Sequence, residues 1–391
     1  MTEVVIAGVG QVPVGEHWEL SLRNLAVRAI QAARKDAVGR GAGDLKPQAM
    51  YIGNLLSSTV SHQANLGALL TENAGLEGIE SYTIEAAEAS GAGAFHLAFL
   101  AISAGLIDSA LVVGVEKYTD VVGPRAESAV SEMTDFDYEA VHGLTPAGQA
   151  GLLMQRYLYE YRVPREVFGA FSILAHANAV HNPQAMYRKA IRRETYNSAA
   201  LVADPLNLMD VAPYADGAAA ILLTRSDLLP ASYTGPLVRV TGSSVVTDRL
   251  AVHDRPDPLA FEAAGLSVER ACRQAGCLPQ DVDLYELWDG FSVYAVLSLE
   301  AAHFAPRGQG WCLAQEGQLA INGRLPALTL GGQKARGNPL GASGVYQLIE
   351  AAIQLRGEAG PTQVPHARRA LVQTLGGAAA TAVTHVLERM N

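Results

Sequence analysis

The chain has 391 residues, of which 49% are hydrophobic and only 17% are charged, and its net charge is -10 at neutral pH. A chain of this length is too long for one small domain, so we expect two domains or a duplicated fold. The acidic balance, with no basic stripe to neutralise phosphates, argues against proteins whose main activity is nucleic-acid binding.

The start of the chain and its cysteines predict a soluble, cytoplasmic protein. Met1-Thr2-Glu3 runs directly into a strand-like stretch at 4–7, without the pattern of a signal peptide. No uncharged apolar run reaches the roughly 18 residues that a membrane-spanning helix needs, so no membrane contact is expected. The three cysteines show no metal-ligand spacing and are interpreted as free thiols in a reducing compartment: Cys272, Cys277 and Cys312.

The first half of the chain predicts alternating helices and strands. An amphipathic helix begins near residue 21 and leads through a polar loop to a short strand at 50–54. A strand at 81–84 then feeds a small-residue turn, a long helix at 91–105 and a strand at 110–114. This alternation of strand, helix and strand is typical of α/β units with largely parallel strand pairing. Residues 216–223 then form a closing hairpin arm rich in small residues.

The second half repeats this order. A helix, a loop and a strand occupy residues 261–291. A strand at 328–330 then leads through a glycine-rich loop to a helix at 344–355 and a strand at 370–372. A second small-residue arm follows at 376–383. The repetition predicts a duplicated fold.

Two further features set the predicted domain organisation. Pro230 and Gly235 break the pattern, so we expect an N-terminal half at 1–235 and a C-terminal half at 236–391. Residues 117–210 have no counterpart in the second half and form an insertion that begins in an acidic loop and then becomes helical. Insertions of this kind often carry substrate contacts, and a dimerisation cap is an equally open interpretation.

Several segments resemble motifs of the thiolase superfamily. The loop at 334–344 is similar to the family's Gly-His-Pro-x-Gly loop, and residues 178–188 are similar to its Asn-Pro-x-Ala insertion segment. The order and spacing of such segments over roughly 200 residues carry the resemblance. The remaining matches lie at 203–206, 210–213, 216–219, 331–332 and 376–377. The nearest branches are the sterol-carrier-type and archaeal acyl-CoA thiolases.

This resemblance implies an α/β protein with a duplicated thiolase fold, five-layered αβαβα, and with an insertion in its first half. It also implies a homodimer or tetramer and an acyl-CoA site between the two halves. A coenzyme A thioester would then be the substrate, with no separate cofactor and no metal.

The position of the family's nucleophile is altered in this chain. In thiolases a Cys begins the buried helix of the first half, and the matching position in Glu85–Gly91 holds Glu88. The helix dipole that lowers the pKa of a thiol would also keep a carboxylate ionised, although burial acts in the opposite direction. A carboxylate cannot form the acyl-thioester intermediate of the family.

Other positions that resemble the family's catalytic residues are also altered. The loop His is Asn338, which can donate a hydrogen bond to an oxyanion but cannot exchange a proton near neutral pH. The strand-end motif reads Trp288-Asp289-Gly290-Phe291, and the second acid/base Cys has no counterpart at 373–375. Because the motif glycines and prolines remain, we favour repurposing of the site over random decay.

The replacement groups predict a different chemistry. Glu88 is the first candidate, as a base, and its alternative is a capping residue at a helix start. Each of the other candidates is either catalytic or simply packed: Trp288, Asp289, Tyr294, Asn338 and Tyr346. A second set is predicted to contact the substrate: Ser90, His142, Gly341, Ser343 and Gly376.

Three hypotheses follow. The first is a non-thiolytic acyl-CoA enzyme, because superfamily members without the Cys include retro-aldolases that act on β-hydroxyacyl-CoA and pair with a small zinc-ribbon acyl-CoA-binding protein. The second is an acetyl-CoA acetyltransferase or other acyltransferase with an atypical nucleophile. The third is a non-catalytic subunit of an acyl-CoA enzyme complex.

Overall fold

The computed structural model describes residues 3–390, and its regular elements alternate along the chain as the two halves predict. The strands are β1 (Val4–Gln11), β2 (Ala49–Gly53), β3 (Glu80–Ile84), β4 (Ser109–Glu116), β5 (Leu201–Ala203), β6 (Leu206–Asn207), β7 (Gly217–Arg225), β8 (Val238–Thr247), β9 (Leu284–Glu286), β10 (Arg369–Gly376) and β11 (Thr381–Arg389). The helices are α1 (Leu22–Gly39), α2 (Leu66–Asn73), α3 (Ser90–Ser103), α4 (Pro124–Val130), α5 (Pro146–Tyr161), α6 (Gly169–Ala179), α7 (Arg193–Asn197), α8 (Glu262–Ala275), α9 (Ser292–Ala301), α10 (Gly310–Gln315), α11 (Gly332–Arg336) and α12 (Ser343–Arg356).

Nine strands are connected in the order β3-β2-β4-β7-β1-β8-β11-β10-β9, and β5 and β6 form a small separate sheet. A single residue pair joins β1 to β8, so the nine strands divide into a first sheet, β3-β2-β4-β7-β1, and a second sheet, β8-β11-β10-β9. They join where Val5 of β1 lies opposite Arg239 of β8. In the described chain the second sheet lacks a regular counterpart of β3, and only an isolated bridge between Ala327 and Tyr285 continues it. The sheets are therefore two copies of one strand order.

The strands of the α/β units pair in parallel, as predicted. Among the described residues these regular parallel pairs are β2 with β3, β2 with β4, and β9 with β10. The small-residue arms β7 and β11 pair antiparallel with both neighbours. A short turn at 377–380 joins β10 to β11, and such a turn forces antiparallel pairing.

The helices complete a five-layered αβαβα arrangement. Helices α1 and α2 cover the outer face of the first sheet, and α8 and α9 cover the outer face of the second. Helices α3 and α12 lie between the sheets and contact strands of both. Their apolar faces explain the layer order, because each buried layer has its own contiguous hydrophobic cluster. The predicted fold is confirmed.

The two central helices begin side by side because glycines replace side chains at their contact. A Cβ at Gly91 of α3 would lie 2.8 Å from the carbonyl oxygen of Gly341 and 2.8 Å from Cγ2 of Val345. A Cβ at Gly344 of α12 would lie 2.7 Å from the backbone nitrogen of Ala92. This close approach brings the residues that precede the two helices into one region.

Between β4 and β7 the chain forms α4 to α7 and the two-stranded sheet of β5 and β6. One predicted element in the second half is absent, because 328–330 forms a bend and a turn and not a strand. Across residues 3–390, every helix is too short or too polar to cross a membrane.

Candidate active site

Glu88 lies in a tight turn between β3 and α3. Ala87 adopts a left-handed conformation with φ of 51°. The Ser90 hydroxyl holds the turn, because it accepts a hydrogen bond from the Ala86 N–H (2.9 Å) and donates one to the Ala87 carbonyl (2.5 Å). The Glu88 side chain is 2% exposed, and its Oε2 accepts the N–H of Gly377 at 2.7 Å. Ser90 is thereby engaged in shaping the turn.

Burial raises the pKa of Glu88 to about 7, and the hydrogen bond from Gly377 opposes this only in part. Removing a carboxylate from water disfavours its charged form, whereas an N–H donor favours it. A group with a pKa near 7 can both accept and release a proton at neutral pH. The predicted base thus has the electrostatics that proton transfer requires.

Asn338 is held by its backbone and by one side-chain contact. Its N–H donates to the Pro213 carbonyl at 3.0 Å, and its own carbonyl accepts the Tyr118 hydroxyl at 2.9 Å. The Ser343 hydroxyl donates to Oδ1 of Asn338 at 2.9 Å. Because Oδ1 is taken, the amide nitrogen Nδ2 is the group left to donate to a ligand.

The two predicted glycine positions make close backbone contacts. The N–H of Gly341 donates to Oε2 of Glu116 at 3.1 Å. A Cβ at Gly376 would lie 2.4 Å from the carbonyl oxygen of Ala86, in the turn that carries Glu88. Both glycines therefore bring loops of the second half against the first half.

Tyr294 lies in an aromatic cluster beside Glu88. Its ring centroid is 5.1 Å from that of Phe291 and 6.1 Å from that of Trp288. Its hydroxyl is buried and has no hydrogen-bond partner among residues 3–390. Burial raises the pKa of Tyr294, and the negative charge of Glu88 raises it further. The phenol therefore stays protonated and is free to donate.

Trp288 fills the space beneath this cluster. The indole lies over Gly290, where a Cβ would come within 1.9 Å of its ring. Its Nε1 is buried and, within the described residues, unpartnered. The substitution thus supplies bulk and one unused donor next to Tyr294.

Tyr346 does not support the expectation of a second catalytic phenol. Its hydroxyl lies within hydrogen-bond distance of the carbonyl oxygens of Val12 (2.6 Å) and Ala218 (2.9 Å). These contacts tie α12 to the first sheet and occupy the only proton that the hydroxyl can donate. These contacts favour the packing interpretation of Tyr346, and its catalytic role stays a prediction.

Asp289 also belongs to the support of the site. Its Oδ1 accepts the Gln333 N–H at 2.5 Å, beneath the loop that leads to Asn338. Burial raises its pKa, against the lowering effect of the nearby Lys334 and Arg336. This hydrogen bond supports the loop, while Oδ2 of Asp289 is buried and has no partner among residues 3–390. The catalytic role of Asp289 stays a prediction.

His142 ends a short 3-10 turn and is exposed. Within the described residues it makes no hydrogen bond to Glu88 or Asn338. The predicted contact with substrate therefore has no support from its position.

Sequence reasoning missed three residues around the site. The Tyr214 hydroxyl donates to Glu127 at 3.2 Å, and the charge of Glu88 contributes to the raised pKa of Tyr214. Nη1 of Arg255 donates to the carbonyl of Ala378 at 2.6 Å, next to Gly377. Glu116 holds the Asn338 loop. Tyr214 precedes the recognised motif at 216–219, which could have indicated it, whereas Arg255 lies in an irregular segment without any signal.

In the described part of the chain, His, Cys, Asp and Glu side chains form no group of three or more that could hold a metal ion. The arrangement that remains is a buried carboxylate, an unpartnered phenol and an amide donor.

Comparisons with known proteins agree with this fold and its order of motifs. The family described as "Thiolase, N-terminal domain" matches residues 4–227, and "Thiolase C-terminal domain-like" matches 244–389. The chain is 37% identical over 389 residues to an acetyl-CoA acetyltransferase of Methanothermobacter thermautotrophicus, which covers 100% of both chains. It is 29% identical to benzoylsuccinyl-CoA thiolase subunit BbsB of Thauera aromatica, over 96% of this chain and 95% of that protein.

Among solved structures, the Ltp2-ChsH2(DUF35) aldolase superposes with a TM-score of 0.83 at 24% identity, over 99% of this chain and 98% of that chain. At this level of identity the superposition speaks for the fold. The family matches span both halves, and the identity to the Methanothermobacter protein extends over the whole length. The chain belongs to the thiolase superfamily.

Proposed function

We propose that this protein is an acyl-CoA enzyme that cleaves a carbon–carbon bond without a covalent acyl intermediate, by retro-aldol cleavage of a β-hydroxyacyl-CoA. The observation that carries the proposal is Glu88, a buried carboxylate with a pKa of about 7. The resemblance of its segment to the family's nucleophile motif aligns Glu88 with the family's Cys. Such a group suits proton abstraction and cannot act as a thiol nucleophile.

Three side chains share the steps of the proposed reaction: Glu88, Asn338 and Tyr294. Glu88 accepts the proton of the β-hydroxyl group, the Cα–Cβ bond breaks, and its electron pair passes into the thioester as an enolate. Nδ2 of Asn338 donates to the enolate oxygen, where charge develops. The products are an aldehyde or ketone and a shortened acyl-CoA.

The enolate carbon must then be protonated. The Tyr294 hydroxyl has no partner among the described residues, and its raised pKa keeps it protonated. It gives its proton to the enolate carbon, and the proton held by Glu88 returns to the phenolate. The cycle therefore needs no redox partner and no external acid.

The substrate class follows from the names of the relatives. The two similar proteins are described as acting on acetyl-CoA and benzoylsuccinyl-CoA. We extend coenzyme A thioesters to this chain on that basis and leave the acyl group open.

Assembly with other subunits is part of the proposal. One relative is described as a subunit, and the superposed aldolase carries a DUF35 component in its name. We propose that this chain assembles in the cytoplasm as a homodimer or tetramer and pairs with a small acyl-CoA-binding partner, of the zinc-ribbon type that the resemblance implies.

The decisive experiment follows turnover of a series of β-hydroxyacyl-CoA thioesters, with aldehyde or ketone release as the readout. Glu88→Gln should abolish turnover while leaving coenzyme A binding intact. Glu77→Gln is the matched control, because it removes an exposed carboxylate outside the turn that carries Glu88. Full turnover by the Glu88→Gln enzyme would refute the assignment.

A second candidate function is that of an acyltransferase, which the description of the Methanothermobacter relative favours. Incubation with acetyl-CoA followed by intact-protein mass measurement separates the two. A covalent acetyl adduct would establish an unrecognised nucleophile and overturn the retro-aldol proposal. If no acyl-CoA is turned over by the chain or by its complex with a partner, a non-catalytic subunit becomes the better assignment.

A further inference from the structure

One buried carboxylate outside the proposed chemistry touches the catalytic loop directly. Glu116 is the last residue of β4 and is fully buried. Its Oε1 accepts the Leu56 N–H (3.0 Å) and Nδ2 of Asn54 (2.8 Å). Its Oε2 accepts the Leu55 N–H (2.9 Å) and the Gly341 N–H (3.1 Å). All four donors converge on a single side chain.

These donors come from both halves of the fold. Three belong to the connection after β2, in the first half, and the fourth belongs to the loop that carries Asn338. Gly341 and Glu116 are 225 positions apart in the sequence. A Cβ at Gly341 would lie 2.8 Å from the Leu55 nitrogen, so the loop reaches the carboxylate only because this residue is glycine.

The hydrogen bond between Glu116 and Gly341 holds the loop that carries the Asn338 side chain. Asn338 lies three residues before Gly341, and Ser343, which binds Oδ1 of Asn338, lies two residues after it. Loss of the Glu116 contact would free the stretch between these two residues. The direction in which Nδ2 points would then no longer be fixed.

Packing alone does not explain a carboxylate here. Burying a charge is costly, and an apolar side chain of similar size would fill the same volume. Four N–H donors, however, require an acceptor with several lone pairs, and the two oxygens of a carboxylate provide them. Gln is almost the same size but turns one acceptor oxygen into a donor.

We propose that Glu116 is a positioning residue for the reaction, which holds the Asn338 loop against the first half so that the Asn338 amide meets the developing oxyanion. This inference rests on the proposed function for its kinetic readout. Glu116 itself touches neither substrate nor reacting atoms.

The test is a double-mutant cycle of Glu116→Gln and Asn338→Ala, read in kcat and KM. Glu116→Gln should lower kcat by about tenfold or more with little change in KM, since loss of one oxyanion donor costs about a hundredfold or more. In the Asn338→Ala background the same change should alter kcat less than about twofold. If the fold-losses in kcat of the two single variants multiply in the double variant, Glu116 does not act through Asn338.

Glu300→Gln is the matched control, because Glu300 is a buried carboxylate bound to Tyr157 and Gly310 in the outer layer. It should leave kcat in either background unchanged. If Glu116→Gln does not fold, Glu116→Asp keeps the charge and shortens the reach by one methylene, and the same pattern is expected.

A second readout is independent of activity. Amide hydrogen exchange of the 338–344 peptide should accelerate at least about tenfold in Glu116→Gln and stay unchanged in Glu300→Gln. Unchanged exchange would overturn the positioning role. If wild-type protein cleaves no β-hydroxyacyl-CoA, the proposed function fails, while the exchange result still decides whether Glu116 holds the loop.

Discussion

The backbone N–H of Gly377 donates to Oε2 of Glu88 at 2.7 Å, across 289 positions of sequence. The turn between the last two strands of the second half thus holds the carboxylate that precedes the first buried helix. This hydrogen bond lowers the pKa of Glu88, but burial outweighs it and leaves the pKa at about 7. Two properties of the protein follow, one in activity and one in stability.

The first prediction concerns the pH dependence of cleavage. Glu88 must be ionised to accept the hydroxyl proton, so kcat/KM should rise with pH through about 7 and level off above it. The measurement is a pH–rate profile of wild-type protein. The same profile of Glu116→Gln is the control, because burial also raises the pKa of Glu116 to about 7. If the rise of kcat/KM around pH 7 is absent in Glu116→Gln, the titrating group is Glu116 and not Glu88.

The second prediction concerns stability. The folded-state pKa of Glu88 is raised from 4.5 to about 7, so the folded protein binds more protons in this range and the associated stability is lost as pH rises through about 7. Gln does not ionise. Glu88→Gln should therefore raise the free energy of unfolding at about pH 8 by up to about 3 kcal/mol, with much less effect at about pH 5. Denaturant titrations at both pH values measure this, and equal effects would contradict the burial of a charge.

The third prediction concerns the direction of the Asn338 amide. Asn338→Ala should lower kcat by about a hundredfold or more, and Asn338→Asp should be as damaging because it turns the donor into an acceptor. Ser343→Ala should have a smaller effect, below about tenfold, since it removes only the bond that orients the amide. Single-turnover rates test the series. A Ser343→Ala defect as large as that of Asn338→Ala would give the serine a direct role.

The fourth prediction separates two buried tyrosines. Tyr294→Phe removes a hydroxyl without a described partner, so stability should be retained while turnover falls by about a hundredfold or more. Tyr346→Phe leaves the Val12 carbonyl without the hydroxyl donor, while the Ala218 carbonyl still accepts the Val12 N–H. It should cost about 1–3 kcal/mol of stability, with turnover retained below the unfolding temperature. Thermal melts and initial rates should show opposite patterns for the two variants.

The fifth prediction concerns the contact between the central helices. Gly91→Ala should destabilise the protein by about 1–3 kcal/mol, because the new methyl group would meet Gly341 and Val345 at 2.8 Å. Gly93→Ala, two residues further along α3, is the control: its nearest atom is Cγ2 of Ile84 at 3.4 Å, and Ala favours a helix by up to about 1 kcal/mol. In urea denaturation, the free energy of unfolding should be highest for Gly93→Ala, intermediate for wild type and lowest for Gly91→Ala. Equal stabilities would mean that the helices can move apart at no cost.

Local patterns in the sequence were sufficient for most of the helices and strands. The helix predicted at 91–105 is observed as α3 at Ser90–Ser103, and the strand predicted at 110–114 as β4 at Ser109–Glu116. Periodicity and small-residue turns are local signals, so they survive without knowledge of the partner strands. Strand partners are not local, and the sequence could not show that the predicted hairpin arm at 216–223 pairs antiparallel with both β1 and β4.

The contacts of the side chains in the site could be assigned only from the three-dimensional structure. Tyr294 and Tyr346 are both phenols just beyond predicted loops, and only the carbonyls of Val12 and Ala218 show that one of them is occupied. Glu116 ends an ordinary buried strand, and its contact with Gly341 spans 225 positions. No spacing within one segment can report such a pair.

The glycine contact between α3 and α12 also bears on how such a protein could change its reaction. Since backbone atoms of Gly91 and Gly341 set the distance between the two helix starts, the side chains at 88 and 338 can be exchanged without moving the frame that presents them. The reaction can then change while the arrangement of the two helices is kept. A library built at a few positions around Glu88, with every glycine of the contact retained, is therefore a practical starting point for designing new carbon–carbon bond chemistry on this frame.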